Sequence, residues 1–173
     1  MIKKVLIGLV VAVVLLLAIF FAPAFLVPVV TNETRVTINK PREEVWKKFM
    51  DSSQMGKWLV GFKSIETISG EPDKVGSKHK IVLEENGQRF EATETVKEVV
   101  ENEKFAFELA ADAIRDDITV TLINKGLTTE VVQSERVTAD GVFYRAMCFW
   151  MKSWMRERSQ QNMDNLKKYI EEE

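Results

Sequence analysis

The stretch Val36-Thr37-Ile38-Asn39-Lys40-Pro41-Arg42-Glu43-Glu44-Val45-Trp46 changes its hydrophobic period part-way, and that change decides the fold. Arg35 to Asn39 reads as a short strand with Val36 and Ile38 on one face. Asn39-Lys40-Pro41 stops it. Proline suits the first turn of a helix, where its missing N–H would have no partner anyway, and Glu43 and Glu44 suit the positive end. Pro41 to Met50 then sets Val45, Trp46, Phe49 and Met50 at helical spacing. Asp51-Ser52-Ser53-Gln54 forms a second capping pattern, and a short helix or turn through Trp58 and Leu59 ends near Gly61.

From Phe62 the period becomes two. Strands are predicted at Phe62–Ser69, Ser77–Glu85, Arg89–Val100, Lys104–Ala110, Asp116–Asn124 and Thr128–Thr138, separated by Gly70-Glu71-Pro72-Asp73, Glu85-Asn86-Gly87, Glu101-Asn102-Glu103 and Asn124-Lys125-Gly126. Such short connections pair consecutive strands as antiparallel hairpins. Alternation in Phe105, Phe107, Leu109 and in Ile118, Val120, Leu122 buries one face. Asp140-Gly141 then opens a long helix, Val142 to Ile170, with Asp140 as its expected N-cap. Its first half is apolar nearly all round (Phe143, Tyr144, Met147, Cys148, Phe149, Trp150, Met151, Trp154, Met155) and its second half is amphipathic. The excess of the first half is expected to pack on Val45, Trp46 and Phe49, with a homo-oligomer contact as the second choice. The order is β-α-α-β6-α, an α+β class. The tail Glu171-Glu172-Glu173 opposes the helix dipole and is expected to fray.

On the other side of the opening motif, Val5 to Val30 carries no charged or strongly polar side chain, and Lys3 and Lys4 precede it. Its first 18 residues make roughly 27 Å of helix and the whole run roughly 39 Å, against a hydrocarbon core of about 30 Å. The expectation is a transmembrane anchor over residues 1–30, kept rather than cleaved, because the apolar core is longer than a signal peptide's and continues past Ala22-Pro23-Ala24. Lys3 and Lys4 place the N-terminus in the cytoplasm and the 31–173 domain on the outer face. Asn32-Glu33-Thr34 fits an N-glycosylation acceptor.

Composition narrows the chemistry. The chain holds 24 basic and 26 acidic residues, so the part beyond Lys3 and Lys4 has a net charge of −4, which argues against nucleic acid as a partner. Cys148 is the only cysteine and His79 the only histidine. No internal disulfide, thiolate cluster or usual Cys/His zinc site can form, and no metal or cofactor is expected.

The strand–Pro–Glu-Val-Trp motif at 36–46, with Asp51, Trp58, Val75-Gly76-Ser77 and Glu94-Thr95-Val96-Lys97-Glu98-Val99, resembles the helix-grip superfamily of START lipid-transfer domains, birch-pollen allergen and polyketide cyclase/dehydrase proteins (SRPBCC). The resemblance covers residues 34–172. It implies an antiparallel sheet closed by the long C-terminal helix, and a mostly apolar cavity between them for a hydrophobic small molecule or lipid. Trp58, Ile81, Phe105, Phe107 and Val120 would line that cavity under a roof of Phe143, Met147, Trp150, Met151 and Trp154. Trp58 and the loops Gly61–Lys63 and Asp112–Asp116 would edge its mouth.

Two polar residues join this set. His79 shares a face with Ile81 and Leu83 and titrates near neutrality when unperturbed. Glu94 shares a face with Phe90, Ala92 and Val96, and would have a raised pKa if that face is buried. Only one of Glu135 and Arg136 can point inward. The expected function is a membrane-anchored domain that binds a hydrophobic ligand without catalysis. The alternatives are a cyclase/dehydrase-like enzyme using His79 and Glu94 as acid and base, and an interaction domain with a filled cavity.

Overall fold

The computed structural model describes residues 2–172. Its elements run α1 (Ile2–Phe21), α2 (Pro23–Leu26), β1 (Val29–Ile38), α3 (Arg42–Phe49), a 3-10 turn (Ser52–Lys57), β2 (Phe62–Ser69), β3 (Lys78–Glu85), β4 (Gln88–Val100), β5 (Lys104–Ala111), β6 (Ile114–Asn124), β7 (Thr129–Ala139) and α4 (Val142–Glu172). Among the described residues the strands form one sheet in the order β1-β7-β6-β5-β4-β3-β2, with every neighbouring pair antiparallel. This is the helix-grip arrangement.

The turn residues set the hairpins. Asn86 and Gly87 both take positive φ (51° and 76°), the two-residue turn whose twist matches the strands it joins. Asp51 caps the 3-10 turn by accepting from the Ser53 backbone N–H at 3.1 Å.

Three expectations change at the ends of elements. The apolar run does not continue as helix to Val30. Pro23 lacks the N–H that would extend α1, and Val29 and Val30 instead open β1, paired with Thr138 and Val137. Residues 29 and 30, expected within the apolar N-terminal segment, therefore belong to the sheet. Asp140 does not cap α4: its carboxylate takes a 3.0 Å bond from Arg115, and Gly141 at φ 85° turns the chain into the helix. Nor is Glu171 free at the tail, since its carboxylate accepts from the Asn39 backbone N–H at 2.6 Å; Glu173 lies outside the described residues. The 32–34 acceptor pattern sits inside β1 with Asn32 Nδ2 buried, so it is not offered to a glycosyl transferase.

The second half of α4 builds the core. Met163, Leu166 and Ile170 are fully buried against Ile38, Val45, Trp46, Phe49, Trp58, Phe105, Val120 and Val131. On one side α4 packs along β1, where Ser159 Oγ meets Thr34 Oγ1 at 3.1 Å and Gln160 reaches the Arg35 carbonyl. On the other side Arg158 donates to the Val60 carbonyl (2.8 Å) and to Glu85 (2.6 Å), while Asn162 accepts from the Val60 N–H and Asn165 donates to the Trp58 carbonyl. α1 has no buried residue and is long and apolar enough to cross a membrane. Leu166→Ala should lower stability by about 2–5 kcal/mol, the usual result of removing a fully buried leucine side chain. Urea unfolding of the full chain in detergent measures it, and a loss under 1 kcal/mol would mean that this core is loosely packed.

Candidate functional site

Strand register lines up the inner face of the sheet. One row across it reads Thr67, His79, Glu94, Leu109, Asp116, Val137, Val30. The next reads Val96, Phe107, Ile118, Glu135, Asn32, and the third Val99, Phe105, Val120, Gln133, Thr34. The third row is core. The first two mix apolar and polar side chains, with the first half of α4 over their β7–β1 end, and this is the candidate site.

Its polar groups have unequal company. Gln133 Nε2 donates to Glu135 Oε1 (2.6 Å) and to Ser159 Oγ (2.9 Å), so Glu135 is the inward member of the Glu135–Arg136 pair and is held in place. His79 is buried, with Nε2 at 3.0 Å from Ser77 Oγ and Nδ1 at 3.5 Å from Thr67 Oγ1. Glu94 stands directly opposite His79 and is buried as well. Burial pushes its carboxyl up from the usual range to about 7, with Asp73 adding repulsion. Asp116, two strands further on and on the order of 10 Å away, is also raised to about 7, first by burial and then by Glu135 and Asp117. Its Oδ1 and the Nδ2 of Asn32 are buried without a hydrogen-bond partner among the described residues. Buried Cys148 of α4 approaches this end from above, and its thiol is raised by burial and by Asp116.

The expected lining divides. Ile81 is buried on the inner face of β3, and Phe107 and Leu109 are half-buried at the edge of the core. Phe105 and Val120 lie within the core, Phe105 edge-on to Phe49 at 6.1 Å. Trp58 does not edge a mouth: it is buried beside Phe49, ring centres 5.8 Å apart. Asp116 belongs to β6 rather than to a loop.

The roof is the main correction. Phe143, Trp150 and Trp154 are 54%, 52% and 51% exposed, Met151 is exposed, and Met147 is half-buried. Nor does this half of α4 meet Val45, Trp46 and Phe49, which pack on Met163, Leu166 and Ile170. The reason is helical phase. Trp150 and Trp154 each precede a buried residue, Ser159 and Met163, by nine positions, about two and a half turns, so they point the opposite way. Facing the sheet in the first half are Cys148, packed with Val30, Val137 and Ala139, and half-buried Met155, while Ala146 is buried on another side of the helix. That phase was readable in the sequence; Asp116 and Asn32 were not singled out because strand alternation alone does not say which end of a row is covered.

Two surface clefts of about 440 and 340 Å³ lie elsewhere, around Lys57 and Tyr169 at the C-terminal end of α4.

Comparison with known proteins agrees with this architecture. The family model for polyketide cyclase / dehydrase and lipid transport matches residues 30–171. The chain belongs to that family. Among solved structures, this polyketide cyclase/dehydrase and lipid transport family member is similar to Ara h 8.0201 (TM-score 0.70, 15% identity, 84% of this chain and 99% of that one). It is also similar to the Zhui aromatase/cyclase from a Streptomyces species (0.70, 10%, 83% and 94%) and to TTHA0849 from Thermus thermophilus (0.67, 18%, 81% and 96%). At these identities the likeness shows the fold. Comparison with curated proteins by sequence gives no match.

A pH dependence follows. Glu94 holds its proton in the folded state at pH values where the unfolded chain has lost it. Its cost is therefore absent below about 4.5, grows as pH rises and is complete above about 7. Glu94→Gln should flatten the fall in urea midpoint between pH 5 and 8 and stabilise the protein at the upper end, by at most about 3 kcal/mol. An unchanged slope would show that Glu94 is solvated.

Proposed function

We propose that this family member binds a hydrophobic small molecule or lipid between the sheet and the first half of α4, and that it does so at a membrane. The observation that carries the reading is the mixed inner face, where buried Glu94 and the unpartnered Asp116 Oδ1 and Asn32 Nδ2 stand beside half-buried Phe107 and Leu109. Polar groups so placed orient a ligand whose body is apolar and whose head can hydrogen-bond. The α1 helix is read as the anchor, with Lys3 and Lys4 in the cytoplasm and the domain on the outer face. Apolar ligands are most concentrated in the bilayer, so tethering shortens their route.

A second reading is acid–base catalysis by the family's cyclase/dehydrase type. The direct opposition of buried His79 and Glu94 across β3 and β4 favours it, and a carboxyl near neutrality suits proton transfer.

Native mass spectrometry of the full chain released from detergent should show a co-purified apolar species. Leu109→Trp, which fills the centre of the polar row, should remove it, and Ser134→Trp on the opposite face of the sheet should keep it. A wild-type chain that carries nothing, and takes nothing up from a total lipid extract, would end the proposal. Turnover of a captured species that is lost in His79→Gln with binding kept would decide for the enzyme.

A further inference from the structure

The outward stripe of α4 has no partner in the domain, yet one end of it has a neighbour. The Trp150 indole N–H donates to the Phe20 carbonyl at 3.1 Å, and the Phe143 and Phe20 rings stand 6.2 Å apart. Phe20 belongs to the last turn of α1, whose carbonyls the helix itself cannot satisfy, and Pro23 removes one of the N–H groups that would otherwise follow. Trp150 thus caps the end of the apolar helix. Only this end of α1, Phe20 and Phe21, is partly covered; the rest is exposed throughout.

Length then fixes depth. The 20 residues of α1 make about 30 Å of helix, one hydrocarbon thickness. If α1 spans a bilayer, Phe20 sits at the boundary between acyl chains and headgroups, and the residues bonded to it sit there too. That level is where tryptophan, with an apolar body and one N–H, is most at home. Trp154 continues the stripe one turn beyond Trp150. Phe25 and Leu26 of α2, both strongly exposed, widen the same apolar surface. Of the exposed charges here, Glu157 falls on the stripe itself, three residues after Trp154, while Lys152 and Arg156 leave the helix on other sides, the Lys152 ammonium 4.7 Å from the Phe149 ring centre. A helix with large apolar rings along one face is the kind that lies with that face in a headgroup layer.

We propose that the first half of α4 is an interfacial helix: Phe143, Trp150, Met151 and Trp154 rest on the surface of the bilayer that α1 enters. The occupant of this face is lipid. The inference rests on the reading of α1 as an anchor and goes beyond it, because a tethered domain could hang free in water. Docked in this way, α4 stands between the bilayer and the β1–β7 side of the sheet.

The test uses the tryptophans already present. Trp46 and Trp58 are core residues, whereas Trp150 and Trp154 are half-exposed. The full chain is reconstituted into phosphatidylcholine vesicles with a minority of phosphatidylglycerol, with and without brominated phosphatidylcholine, whose bromines quench indole on contact. Brominated lipid should quench wild-type emission clearly, and the double variant Trp150→Phe, Trp154→Phe should lose most of that quenching while keeping its circular dichroism spectrum. Quenching of equal size in the double variant overturns the proposal. So does its absence from a wild-type chain that stays in the vesicles after an alkaline carbonate wash, a result that leaves the anchor intact. A chain removed by that wash defeats the anchor and the docking together. Shielding of both indoles from acrylamide without bromine quenching, growing with the protein-to-lipid ratio, would assign the face to a second copy and likewise overturn the proposal.

Discussion

The clamp on the middle of α4 governs the rest of the structure. At one turn of the helix, Ser159 is bonded to Thr34 of β1 and Gln133 of β7, while Arg158 is bonded to the Val60 carbonyl and to Glu85 at the β3–β4 turn. These partners come from both margins of the sheet, so the helix is held between them and its rotation about its own axis is fixed. The Arg158 bonds are charge-assisted and the Ser159 bonds are buried, and several partners together make the geometry specific. Once the phase is set at 158–159, every other α4 side chain follows by helical geometry.

The consequence is a helix with two unlike halves. Beyond Ser159 the inward residues are large (Met163, Leu166, Ile170), and the space beneath is filled by the rings of α3 and the sheet. Before it the inward residues are Cys148 and half-buried Met155, and the rings of Phe143, Trp150 and Trp154 point away. One end of the sheet is therefore sealed as a core, while the other presents His79, Glu94, Asp116 and Glu135 beneath a thin cover. A fold that must both stand up and admit a ligand can divide the two tasks along the length of a single helix.

Much of this was legible in the sequence where the signal was local. The hairpin turns rest on residues such as Asn86-Gly87, whose backbone preference does not depend on the tertiary structure, and the strands between them fall within a residue or two of their expected bounds. His79 and Glu94 point inward as alternation requires. What was not legible depended on partners far away in the chain. Val29 and Val30 read as a continuation of an apolar helix, and only pairing with Val137 and Thr138 makes them a strand. The rings of α4 read as a roof because size and hydrophobicity do not carry direction. Direction comes from phase relative to the buried stripe of Met163, Leu166 and Ile170.

The distribution of buried polar groups separates the demands of folding from those of function. Leaving a buried polar atom without a partner costs about 1–3 kcal/mol; Thr34 and Gln133 avoid it by bonding Ser159, whereas Trp58 Nε1 in the core and Asn32 Nδ2 and Asp116 Oδ1 in the candidate site bear it. Valine at 94 or 116 would fill the same strand positions without the penalty, as Val137 and Val30 do in the same row. Placing carboxyls there makes the apo fold less stable than its own sequence could make it. Under the proposed function, a ligand that supplied the missing partners and covered Leu109 and Phe107 with its apolar remainder would recover the cost. Under that proposal the row from His79 to Asp116 lines the ligand site, and its buried carboxyls serve binding rather than folding.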